Sequence, residues 1–149
     1  MIEYEGFFHI GIVVDDMESG MADISRRFGV TFPEPRNANV RIRYNGEEQQ
    51  VAVKFVYSRQ GPPYLELIEA VPGTVWETIG LHHLGVFCDH MEVEVQKLVE
   101  EGYVHEGASL GPDGSLQGAQ YIVNGKGVRL EFQRGEFREQ FLKMLGLKD

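Results

Sequence analysis

Ile10, Ile12 and Val14 alternate with His9, Gly11 and Val13, the period of two that a strand with one buried face requires. The period then changes. Met17, Met21 and Ile24 fall at i, i+4 and i+7, the spacing of one buried helix face. Asp15 and Asp16 stand where a cap belongs, and Gly29 follows. The whole pattern returns 74 residues later. His83-Leu84-Gly85-Val86-Phe87-Cys88-Asp89-His90-Met91-Glu92 repeats His9-Ile10-Gly11-Ile12-Val13-Val14-Asp15-Asp16-Met17-Glu18 with His, Gly, Asp, Met and Glu identical. Met91, Val95 and Leu98 restate the helix face, an Asp again precedes it, and Gly102 closes it.

Each half ends on a similar strand, Tyr64-Leu65-Glu66-Leu67-Ile68 and Val128-Arg129-Leu130-Glu131-Phe132. Between helix and last strand there is room for two more. In the first half these are predicted at about 39–44 and 51–57, with Asn45-Gly46 as the turn; in the second, at about 103–108 and 119–123, with Asn124-Gly125 leading into the last strand. Each half reads as strand, helix, strand, strand, strand. Two units are too few to stack as a solenoid, so a pseudo-symmetric pair closing on itself is expected. The chain is read as one domain with modules at about 6–70 and 80–134. A connector at about 70–80 holds Pro72, Gly73 and Trp76. A last helix at about 136–145 shows Phe137, Phe141, Leu142 and Leu145 on one side, as a cover for the core or for a dimer.

Composition narrows the chemistry. The chain has 149 residues, enough for one core without a staple. Its single cysteine, Cys88, excludes a disulfide framework or a cysteine-rich zinc module and is expected to lie buried. Fourteen Lys and Arg against 23 Asp and Glu leave a net charge of -9, which repels phosphate backbones and argues against nucleic acid. There is no long apolar run and no basic, apolar leader, so a cytoplasmic protein with no membrane partner is expected.

Strand alternation then isolates four polar residues. His9, Glu66, His83 and Glu131 each sit opposite an aliphatic strand face, one His and one Glu per half. If the halves pair about a pseudo-twofold, the four converge on the concave face. Buried carboxylates need a cation or strong partners, and two imidazoles with two carboxylates suit a divalent ion such as Zn, Ni, Co, Mn or Fe. Parity gives the position to His83 and points its neighbour His82 the other way.

With these motifs the sequence resembles the vicinal-oxygen-chelate superfamily of glyoxalases, methylmalonyl-CoA epimerase, fosfomycin- and bleomycin-resistance proteins and extradiol dioxygenases. The likeness covers about residues 6–134 and is carried by Phe8-His9-Ile10-Gly11, Leu65-Glu66-Leu67-Ile68-Glu69, Leu81-His82-His83-Leu84-Gly85 and Arg129-Leu130-Glu131-Phe132. It implies an α+β fold of paired βαβββ modules forming an eight-stranded half-open barrel, with one divalent metal on His9, Glu66, His83 and Glu131. It also implies a lyase or isomerase that removes a proton beside a chelated carbonyl of a small molecule, with Glu131 as first choice of base and Glu66 as second. The Leu-His-His run looks most like methylmalonyl-CoA epimerase, yet Val53 or Lys54 stands where that enzyme carries a glutamate base. An epimerase-like racemase, an extradiol-type dioxygenase and a non-catalytic binding or resistance protein are the other classes the resemblance contains.

Phe55, Tyr57, Trp76, Phe87 and Tyr121 are candidates for an apolar substrate cleft. Arg43, with Arg41, Lys54 and Arg59, is a candidate for docking an anionic group. Gly107, Gly111, Gly114 and Gly118 with Pro112 predict a mobile loop over the cleft. It lacks the Gly-Lys-Ser/Thr ending of a phosphate loop. His105 is a spare acid–base candidate. The expected partners are a small-molecule substrate and a second copy of the chain in a homodimer.

Overall fold

The computed structural model describes residues 2–149. The first module comprises β1 (Phe7–Val14), α1 (Met17–Phe28), β2 (Arg36–Tyr44), β3 (Glu47–Tyr57) and β4 (Tyr64–Glu69). The second comprises β5 (Gly80–Cys88), α2 (Met91–Glu100), β6 (Val104–Leu110), β7 (Leu116–Val123) and β8 (Arg129–Arg134), and α3 (Arg138–Met144) follows. The strand–helix–three-strand order is present twice, as the repeat predicts. The last helix is shorter than the apolar spacing suggested, because residues 135–137 form a 3-10 turn instead.

Hydrogen bonds join the strands in the ring β1-β4-β3-β2-β6-β7-β8-β5. Within each module the first and last strands run parallel, and the modules meet along two antiparallel seams, β1 with β5 and β2 with β6. The second seam makes the expected half-open barrel a continuous ring. α1 covers the outside through Met17 on Val14, Val56 and Leu67; α2 does the same through Met91 and Val95 on Val86, Ile122 and Phe132. A third cluster, of Val13, Ile42, Val53, Ile68, Val75, Trp76 and Tyr121, fills the interior.

Local chemistry explains the boundaries. The Asp16 carboxylate accepts a hydrogen bond from the Ser19 amide at 2.8 Å and starts α1; Gly29, at φ 68°, ends it. The second half departs from this. His90, at φ 56°, holds the cap position of α2 with no side-chain cap bond, so Asp89 does not repeat the role expected of it. Asn45 and Gly46 both have positive φ, the two-residue turn that matches strand twist. The expected glycine loop is largely strand. Gly107 and Gly118 lie within β6 and β7, and the turn between them is closed by the Gly111 amide on the Ser115 carbonyl at 2.8 Å.

One register detail governs the centre. Ile10 pairs with Leu84, its own counterpart 74 residues on, so the pseudo-twofold passes through that pair. His9 then faces Gly85 and Gly11 faces His83. A Cβ at Gly11 would overlap the His83 imidazole, and one at Gly85 the His9 imidazole. Each half's His-x-Gly therefore supplies one ring and the hole for the other ring. Gly85→Ala should cost about 1–3 kcal/mol or more by overpacking, read as a lowered urea midpoint. Gly125→Ala, with open space around the site, should stay within about 0.5 kcal/mol of wild type.

Candidate metal centre

The cross-strand register builds the site in two rows. Tyr57, Glu66, Gly11 and His83 are successive partners on β3, β4, β1 and β5. Tyr121, Glu131, Gly85 and His9 are their counterparts on β7, β8, β5 and β1. Each row carries a tyrosine, a glutamate and a histidine on the same face, with glycine making room between the last two. The rows lie side by side across the pseudo-twofold, so the four metal-type residues converge, as the strand parity of the sequence predicts.

All four are buried, and one donor atom from each lies within 4.8 Å of every other. His9 Nε2 is 2.8 Å from His83 Nε2 and 3.2 Å from Glu66 Oε2. His83 Nε2 is 3.1 Å from both Glu66 Oε2 and Glu131 Oε2. Two donors that share one ion at about 2.1 Å stand about 3.0–3.4 Å apart, so the set fits a divalent cation. The donor chemistry agrees: imidazole and carboxylate suit Zn, Mn, Fe, Co or Ni, and no thiolate is present. Glu66 Oε2 and His9 Nδ1 are buried without a hydrogen-bond partner, and an ion held by the set would satisfy the first.

Electrostatics follow from burial and proximity. Burial opposes ionisation of Glu66, but the His9 and His83 imidazoles outweigh it and hold the carboxyl below its ordinary range. Burial likewise opposes charge on His83, and Glu131 and Glu66 overcome it, raising the imidazole above its usual value. Burial, reinforced by the two carboxylates, pushes the Tyr57 and Tyr121 phenols well up, so both keep their protons. Tyr121 donates to Glu131 Oε2 at 2.6 Å and receives the Trp76 indole N–H at 2.9 Å; Gln133 donates to Glu131 Oε1 at 2.9 Å. The Cys88 thiol, pushed up to about 11 by burial, is inert.

His82 corrects the parity argument. It does not point away: its Nδ1 lies 2.8 Å from His83 Nδ1, and it is 5% exposed. The register shifts between Gly11 and Ile12, which pair with His83 and Leu81, so His82 is the extra residue of a β-bulge. The equivalent shift on β1 leaves Phe8 as the extra residue there. Alternation cannot foresee a bulge, because it assumes one residue per step.

A cavity of about 1020 Å³ opens onto Glu66 and Glu131. Phe55, Tyr57, Trp76, Phe87 and Tyr121, the five aromatics singled out in the sequence, all line it. Two more were missed: Phe137 and Phe141 bring the C-terminal helix into the wall, so that segment is more than a core cover. Their i, i+4 spacing showed a face but not where it docks. Arg43 is not brought in. It lines a separate cavity of about 250 Å³ with His105, and its guanidinium lies 3.6 Å from Glu48. His105 there bonds Gln120 Oε1 at 3.0 Å. Arg41 does reach the central cavity but is paired with Glu48 at 2.6 Å, and Lys54 sits 3.3 Å from Glu69.

Two βαβββ modules closed into one barrel, with a His/Glu cluster where they meet, define a barrel protein built around a metal-type centre. Residues 8–115 match the family model described as Glyoxalase/Bleomycin resistance protein/Dioxygenase superfamily, and the chain belongs to that superfamily. No curated protein matches it. Solved structures share the fold at low identity. A methylmalonyl-CoA epimerase from Mycobacterium tuberculosis is 16% identical, with 89% of this chain and 91% of that one covered and a TM-score of 0.57. A hypothetical protein from Bacillus halodurans is 17% identical, covering 85% and 91%, TM-score 0.56. A Streptomyces coelicolor methylmalonyl-CoA epimerase variant with 2-nitronate-propionyl-CoA is 14% identical, covering 85% and 94%, TM-score 0.54.

The raised His83 value fixes the sign of a pH effect. Below it, a metal must displace a proton from His83; above it, none remains to displace. Apparent Zn affinity should therefore rise with pH, by roughly tenfold per unit for one displaced proton, and level off above the raised value. Chelator competition from about pH 5 to about pH 9 checks this, and a flat profile would contradict it.

Proposed function

We propose that the protein is a metal-dependent lyase or isomerase that removes a proton beside a carbonyl of a small molecule. The observation that carries this reading is the convergence of two imidazoles and two buried carboxylates at the base of a cavity large enough for a substrate. His9, Glu66, His83 and Glu131 would hold one divalent ion. When bound, such an ion acts as a Lewis acid that polarises the substrate carbonyl and eases loss of the neighbouring proton.

The chain's own residues supply the rest. Glu131 is assigned as the general base and Glu66 as the alternative. Tyr121 and Gln133 hold the two oxygens of Glu131, and the protonated phenols of Tyr57 and Tyr121 are donors beside the site. The aromatic wall, including Phe87 and Phe141, excludes water and favours a substrate with an apolar portion. A methylmalonyl-CoA-epimerase-like reaction draws support from the structural neighbours, but a second base is wanting at the expected place. Val53 belongs to the interior cluster, and Lys54 pairs with Glu69. That favours a reaction with one active carboxylate face over a two-base racemisation.

A cytoplasmic homodimer completes the reading. The one thiol, free and buried, suits a reducing compartment, and Leu81, Leu84 and Val128 leave apolar surface exposed around β5 and β8. A light-scattering mass of one chain would overturn the dimer.

Metal analysis of wild type, His83→Ala and Glu131→Ala tests the centre. About one divalent ion per chain is expected in wild type, lost in both variants with the fold retained. Glu131→Gln should reduce substrate proton exchange by about 10²–10⁴-fold, and a larger loss in Glu66→Gln would exchange the two roles. Oxygen consumption with a catechol would move the protein to the dioxygenase class. Failure to take Zn, Ni, Co, Mn or Fe after reconstitution would leave a binding protein on this scaffold.

A further inference from the structure

We propose that His82 is a positioning residue for the metal centre, fixing which nitrogen of His83 is free to ligate, and that the connector between the modules holds His82 in that role. The proposal rests on the metal reading of the site and adds the device that prepares one of its ligands.

The argument is an accounting of protons along one chain of hydrogen bonds. His82 Nε2 lies 2.7 Å from the Val75 carbonyl oxygen, which can only accept, so Nε2 carries the hydrogen. A neutral imidazole has one N–H, so His82 Nδ1 is an acceptor. His83 Nδ1, 2.8 Å away, must then donate to it. That leaves the lone pair of neutral His83 on Nε2, the atom that faces His9, Glu66 and Glu131. The common support for a metal-bound histidine is a carboxylate or a carbonyl. Here a second histidine relays a backbone carbonyl to the ligand.

The relay is itself held in place. The bulge turns His82 inward, and Arg129, paired with Glu106, donates to the His82 carbonyl oxygen at 3.1 Å. Val75 belongs to a connector tied to itself by the Val71 amide on the Trp76 carbonyl at 3.0 Å and by Thr74 Oγ1 on the Val71 carbonyl at 2.7 Å. The next residue, Trp76, supports the second glutamate through Tyr121. Two adjacent connector residues thus reach His83 and Glu131, both ligands of the second module. The first module has no equivalent on its histidine: Phe8 occupies the bulge position that matches His82, and His9 Nδ1 has no partner. The centre therefore has one histidine whose outer nitrogen is held by a relay and one, enclosed by Phe8, Tyr57 and His83, whose outer nitrogen is not.

The test combines a spectroscopic and a binding readout. In ¹⁵N-labelled apo wild type, long-range imidazole spectra should show His82 protonated at Nε2 and neutral His83 protonated at Nδ1. His83 protonated at Nε2 alone would overturn the proposal. Titration with Co²⁺ against a competing chelator should then show about 10–100-fold weaker binding in His82→Phe, a change to the residue type already present at the matching bulge. His82→Asn, whose amide oxygen can replace the Nδ1 acceptor, should recover most of the loss. Wild-type affinity in His82→Phe, or no recovery in His82→Asn, would also overturn it. If the Phe variant does not fold, the wild-type tautomer decides. If wild type takes no ion at all, the metal reading fails, and the tautomer spectrum still decides this proposal separately.

Discussion

The centre of this protein depends on two imidazole rings lying across two glycines. His9 and His83 come from adjacent antiparallel strands, and each ring occupies the space a Cβ on the opposite strand would fill. That close approach brings the two Nε2 atoms within 2.8 Å and sets where the glutamates of the flanking strands must reach. The glycines are required because the backbone and the ring share one volume, not because the turn needs unusual torsion angles. A shift of one residue in the β1–β5 register would send both rings to the outside and dissolve the site.

The second constraint is charge. Two buried carboxylates so close together are costly unless something positive stands between them. The imidazoles lie against both carboxylates, and that proximity pushes His83 up and Glu66 down. A divalent ion held by the same four side chains would meet the same demand for positive charge. The tyrosines of the two rows belong to the same solution. Burial keeps them neutral, and Tyr121 gives its hydrogen to a glutamate oxygen that has no solvent to turn to.

Although the modules repeat, their surroundings do not. α1 has an aspartate cap where α2 has none, and the paired bulges carry Phe8 on one strand and His82 on the other. Phe8 joins the cluster under α3 with Tyr57, Phe87 and Leu145, so the C-terminal helix packs beside one half of the pseudo-symmetric centre. His82 instead meets the connector. Duplication thus provides two matching His and Glu pairs, while segments outside the repeat make their surroundings unequal. The same regions also reach the cavity wall, through Trp76 of the connector, Phe137 of the 3-10 turn and Phe141 of α3.

The sequence by itself determined the repeat, the order of strands and helices, the face of each strand and the four metal-type residues, since all of these are written as periodicity and internal likeness. Four of the five aromatic candidates, Phe55, Tyr57, Phe87 and Tyr121, lie on strands where alternation speaks to their side; Trp76 stands in the connector, where it does not. Only the tertiary structure decided what periodicity cannot carry. The inward turn of His82 comes from an extra residue in a ladder, visible only once the partner strand is present. Tyr57 and Tyr121 meet their glutamates through cross-strand pairing rather than at a fixed offset, standing nine and ten residues before them. Arg43 leaves the cavity and Phe137 and Phe141 enter it because a side chain's destination depends on which surface its element docks against. Local pattern fixes direction along one strand or helix; long-range packing fixes what lies in that direction.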